Sequence, residues 1–114
     1  MRQGLVRMFL VSLLGVGLLA VCAGSSKAQS AAETLFKAKC AMCHGLDGKG
    51  ETPTGKTMKA RNFAAPEVMK MTDDELEAVI AKGKNKMPAF GGKLKKEQIE
   101  QLVGYIRELA KKSS

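Results

Sequence analysis

The chain has little of several things, and each shortage excludes a class. Three cysteines in 114 residues are too few for a disulfide scaffold. No stretch after the N-terminal segment alternates apolar and polar residues as a strand does, and no internal repeat appears. Apolar runs are too few for a multi-span membrane protein, and the length is too short for a multidomain enzyme. There is no tryptophan and one tyrosine, and no aromatic-basic pattern of the kind that binds nucleic acid. There is also a single histidine, His44.

The one long apolar run, Met8–Ala23, is 16 residues, short of the roughly 20 that span a bilayer comfortably. Arg2 and Arg7 precede it, and the small polar stretch Gly24–Ala28 follows it. That order is a secretory signal with Ser26-Lys27-Ala28 as the cleavage site, so residues 1–28 are expected to be removed. An uncleaved anchor, or lipidation at Cys22, ranks below ordinary cleavage because the run is short and Val21 is bulky. The expected mature domain, 29–114, has 86 residues, all 11 acids and 16 of the 19 basic residues, hence a charge of +5. A domain that small is marginally stable unless something else fills its core. Export places it in the periplasm, or in the thylakoid lumen if the cell is photosynthetic.

The mature chain reads as all-α. Ser30-Ala-Ala-Glu33 is a capping box opening a helix with Ala32, Leu35, Phe36 and Cys40 on one face. Gly45–Ala65, with four glycines and Pro53, reads as a long ordered loop, a feature that usually serves a site. Pro66 starts a short helix through Met71. Thr72-Asp-Asp-Glu75 is a second capping box, followed by Leu76, Val79 and Ile80 and closed by Gly83 as a left-handed cap. After the loop Asn85–Gly92, a last helix from about Lys95 to Lys111 carries the stripe Ile99, Leu102, Val103, Ile106 and Leu109.

Chemistry is concentrated in Cys40-Ala41-Met42-Cys43-His44, the C-x-x-C-H pattern of c-type haem attachment. Two thiols three positions apart each add to a vinyl group on one porphyrin edge, and the next residue lies under the iron as an imidazole ligand. Two exported cysteines consumed as thioethers need form no disulfide. A zinc site lacks a fourth ligand, because no cysteine or histidine follows. A thioredoxin-like site lacks its βαβ context.

Ala32–Gly45, Pro53, Lys86-Met87-Pro88-Ala89-Phe90 and a last amphipathic helix with Tyr105 together resemble a class I c-type cytochrome. The resemblance is to the small monohaem cytochromes of bacterial and photosynthetic electron-transfer chains, and it covers essentially all 86 mature residues. It implies about four helices wrapped around one haem c, held covalently by Cys40 and Cys43. The first and last helices would cross at Ala32, Phe36 and Tyr105. It also implies His44 and Met87 as axial iron ligands. Met87 precedes a proline that restricts it to extended backbone, in a polar loop where a thioether has no core to fill. Met58, in the long loop, stays open as the alternative. The family orients its axial histidine through a proline carbonyl, a role Pro53 fills or else serves only as a turn residue. Arg61 and Asn62 are candidates for a haem propionate.

The expected function is a soluble one-electron carrier, a monomer and not an enzyme, shuttling between membrane redox complexes. Two other readings stay open: a haem subunit of a larger oxidoreductase, and a haem-based gas or redox sensor. Lys37, Lys39 and Lys49 near one motif and Lys82, Lys84, Lys86 and Lys93 near the other suit redox partner proteins with acidic docking faces. Membrane contact is expected only through those partners.

Overall fold

The computed structural model describes residues 23–114; residues 1–22, which hold most of the expected signal, lie outside the described residues. Six helices follow in order: α1 Ala23–Lys39, α2 Ala41–His44, α3 Pro53–Met58, α4 Pro66–Met69, α5 Asp73–Lys82 and α6 Lys96–Lys112. Among the described residues the only β pairing is an isolated antiparallel bridge between Lys84 and Met87. The all-α expectation holds, with six helical segments among the described residues in place of about four. No helix among the described residues is long and apolar enough to cross a membrane.

α1 packs across α6, and α5 packs on the same long helix. The stripe Ile99, Leu102, Val103, Ile106 and Leu109 is buried in full, because i, i+3, i+4 and i+7 positions share one helix face. Phe36 of α1 and Leu102 of α6 are fully buried. The Phe36 ring sits 5.3 Å from that of Tyr105 and 6.1 Å from that of Phe63, within the range of favourable aromatic pairing. Ala32, buried beside Phe36 on α1, is small enough to let the two long helices approach.

α5 begins as expected. The Thr72 hydroxyl accepts from the Glu75 amide at 3.2 Å, and the Glu75 carboxylate accepts from the Thr72 amide at 2.7 Å. Arg107 of α6 locks this start in place: its guanidinium donates to the Asp73 carboxylate at 3.0 and 3.1 Å and to the Met71 carbonyl at 2.6 Å. Gly83 does cap α5, its amide donating to the Val79 carbonyl at 2.8 Å. Its φ of 73° comes with ψ of 168°, so the chain leaves extended rather than curling into the left-handed helical form expected.

Two further differences have local causes. Ser30 caps nothing, because α1 already runs from Ala23 and the preceding turn supplies helical partners. The Ser30 carbonyl accepts from the Thr34 hydroxyl, while Glu33 pairs with Lys37 at 2.6 Å instead of reaching back. The expected cleavage point after Ala28 therefore falls inside α1. The long loop Gly45–Ala65 contains α3. Thr52 caps it, its hydroxyl accepting from the Gly55 amide at 2.8 Å, and Pro53 occupies its first turn.

Candidate functional site

Cys40 is the N-cap of α2, and Cys43 and His44 lie in its single turn. The turn closes on Cys40, whose carbonyl accepts from the amides of Cys43 and His44 at 3.2 and 3.0 Å. One helical turn thus carries both thiols and the imidazole in sequence, as the spacing requires. The two cysteines are free and half-buried. Burial, with a smaller contribution from Cys43, pushes the Cys40 thiol up to about 11, so it holds its proton at neutral pH.

His44 is oriented from two sides. Its ring stacks on Phe63 at 4.7 Å between centroids with 28° between planes. Its Nδ1 lies 3.4 Å from the Arg61 carbonyl. A carbonyl only accepts, so Nδ1 is the donor and carries the proton, leaving Nε2 with its lone pair. Burial pulls His44 below the ordinary imidazole range, against the opposing effect of that hydrogen bond, and so favours the neutral ring. Arg61 supplies the orienting carbonyl, not Pro53, whose carbonyl accepts instead from the Thr57 hydroxyl at 3.1 Å.

α3 is the frame that fixes α2. The Thr52 hydroxyl lies 2.7 Å from the Met42 carbonyl and 3.1 Å from that of Cys43, serving carbonyls that a four-residue helix leaves unpaired. Gly55 is buried against α2; a Cβ there would stand 2.1 Å from the Cys43 carbonyl oxygen and 2.6 Å from that of Gly50. Only glycine permits that approach.

Met87 is half-buried and packs against the edge of the core, so the expectation that its thioether has no core to fill does not hold. Its loop is shaped by reciprocal backbone bonds, Met87 amide to Lys84 carbonyl at 2.9 Å and Lys84 amide to Met87 carbonyl at 3.2 Å. Asn85 turns between them at φ 54°. Beyond Pro88 the chain is pinned back on α5, with the Phe90 amide on the Ile80 carbonyl and the Gly91 amide on that of Ala81, both at 2.9 Å. Met58 is also near the surface, 36% exposed at the end of α3.

Arg61 and Asn62 have other partners. The Arg61 guanidinium pairs with Glu67 at 2.9 Å, and the Asn62 side chain accepts from the Ala64 amide at 2.9 Å. Phe63, α3 and the Arg61 carbonyl are the parts the sequence reading missed. Thr52-Pro53 carried the helix-start signal for α3.

The chain's own residues fit a covalently attached haem. Two unjoined thiols stand three positions apart, the imidazole Nδ1 lies against a carbonyl so that Nε2 is left free, and Met87 offers a half-buried thioether on the loop after α5. The described core contains no buried polar or charged side chain, as an apolar porphyrin requires.

Comparison with known proteins points the same way. Residues 27–106 match the family described as cytochrome c oxidase, cbb3-type, subunit III. Cytochrome c6 of Microcystis aeruginosa is 37% identical over 82 residues, covering 69% of this chain and 94% of that protein. Cytochrome c6 of Nostoc sp. is 38% identical over 107 residues, covering 88% and 90%. The solved structure of KustC0563 c-type cytochrome superposes with a TM-score of 0.63 at 32% identity, covering 68% of this chain and 95% of that one.

Proposed function

This chain belongs to the small monohaem c-type cytochromes, the cytochrome c6 and cbb3-type subunit III family, and we propose that His44 and Met87 are the axial ligands of its iron. Like cytochrome c6 it is an electron carrier with covalent haem c, not an enzyme, and it works with redox protein partners. The haem supplies a one-electron couple; the polypeptide supplies its anchors, its ligands and its shielding from water. Cys40 and Cys43 hold the group by thioethers. His44 gives Nε2, with the Arg61 carbonyl raising its basicity and Phe63 fixing the ring. Met87 gives a thioether, which favours ferrous iron and a high potential.

The observation that carries the His44 assignment is its Nδ1 lying 3.4 Å from the Arg61 carbonyl, at the end of a turn bearing two free thiols; Met87 is proposed from its place before Pro88 and from the family pattern. Export through residues 1–28, a free-moving monomer of residues 29–114 and a periplasmic or lumenal site complete the proposal. Membership in a family that includes an oxidase subunit favours a second reading, a subunit of a larger complex. Native size exclusion separates them: a carrier elutes at its own mass.

The ligand test is Met87→Ala. The oxidised protein is expected to show the weak far-red band of sulfur-to-iron charge transfer. The variant is expected to lose it, to fall in potential and to bind carbon monoxide when reduced. A band that survives the substitution moves the ligand to Met58.

A further inference from the structure

The Met87 loop closes on itself through Lys84 and is bound to α5 through Ile80 and Ala81, and one long-range side-chain bond ties it to α3. Lys86 Nζ donates to the Thr57 carbonyl at 3.2 Å, across 29 positions of sequence. Thr57 lies in the last turn of α3, where carbonyls have no partner within the helix and the negative end of the helix dipole attracts a cation. The bond therefore joins the loop bearing one proposed ligand to the helix that clamps the turn bearing the other. Two neighbouring lysines are engaged differently: Lys84 contributes its backbone to the loop, and Lys93 lies over the Phe90 ring at 5.9 Å.

We propose that Lys86 is a positioning residue for the distal ligand, a strap that holds the Met87 loop closed against α3. The proposal rests on Met87 being the ligand. A thioether is a weak ligand to ferric iron, so the fraction of molecules with Met87 released depends on what else restrains the loop. An outside ligand enters only in that released fraction, and its apparent affinity scales with the fraction. The strap lowers the released fraction without touching iron. Pro88, next in the chain, limits the conformations the loop adopts, so a single tether is enough to select the closed one.

The experiment is a titration of the oxidised holoprotein with imidazole at a pH well above imidazole's own pKa, where the free ligand is neutral and its binding does not respond directly to the lysine charge. Lys86→Met is expected to raise imidazole affinity about 3- to 10-fold, the scale of a charge-assisted hydrogen bond reduced by its exposure to water. Lys86→Arg, which keeps a donor on a long side chain, is expected to restore most of the difference. Lys82→Met removes a nearby charge with no strap and is expected to stay at the original affinity. Without imidazole, the far-red band is expected to persist in all three. An affinity in Lys86→Met within twofold of the parent, or an equal rise in Lys82→Met, overturns the strap. Met87→Ala run alongside separates the two failures. If that variant keeps the band, the ligand assignment fails and the strap with it; if it loses the band while Lys86→Met matches the parent, the strap alone fails.

Discussion

Gly55 shows how much a single atom decides at this site. Its missing Cβ lets α3 lie against the Cys43 carbonyl, and the clash that a methyl group would create, at 2.1 Å, is with backbone that cannot rotate away. Gly55→Ala is therefore expected to push α3 off α2 and to lose about 1–3 kcal/mol of stability, the usual scale of an overpacked site. Denaturant unfolding of the holoprotein measures it, and a midpoint equal to the parent's would show that α3 does not clamp α2. Legibility at this scale divides by the kind of group. Cys40, Cys43 and His44 could be read because their spacing is the chemistry. Arg61 could not, since it acts on His44 through a carbonyl that every residue possesses. Phe63 could not either, because its stack on the imidazole joins positions 19 apart through a turn that local sequence does not specify.

The helices divide in the same way. α5 and α6 were readable because each announces itself locally, α5 through Thr72 and Glu75 and α6 through its apolar stripe. Thr72→Ala removes the acceptor for the Glu75 amide and is expected to cost about 0.5–2 kcal/mol. The far-red band should be unchanged, since neither proposed ligand is on α5. A denaturation midpoint that does not move would mean that Arg107, through Asp73 and Met71, fixes the start of α5 unaided. α3 carries little local signal, since its six residues include a glycine and no apolar stripe; tertiary contacts with α2 hold it. α1 starts earlier than its capping box indicates, because such a box signals a start only where the preceding residues are not already helical. The long helices α1 and α6 thus provide a crossing that the apolar periodicity reveals, whereas the short α2 and α3 provide the site and are held by polar contacts that periodicity does not show.

Across the whole molecule, the lysines near the two motifs are not equivalent, and this sharpens the proposed docking to an acidic partner. Lys37 is paired with Glu33, and Lys86 is engaged by Thr57. Among the described residues Lys39, Lys49, Lys82 and Lys84 are exposed and form no salt bridge within the chain, so their charge is available to a partner. Contacts for electron transfer are commonly small, below about 1,200 Å² in total, which lets the carrier leave quickly. Charge then acts chiefly on the association rate, over a screening distance of about 8–10 Å at physiological salt. Lys86 is a poor probe of this effect, because reversing its charge also cuts the proposed strap. Lys84 is the cleaner position beside Met87, and Lys112, at the end of α6, lies outside the Met87 loop and is the comparison. Lys84→Glu is expected to slow the bimolecular electron-transfer rate with an acidic partner about threefold or more at low ionic strength, and Lys112→Glu much less. Both differences should shrink as salt rises, and the parent rate should fall. Stopped-flow measurement over a salt series decides it: a flat or rising parent rate with equal effects at the two positions would leave the lysines as solvated surface and remove the acidic docking face from the proposed function.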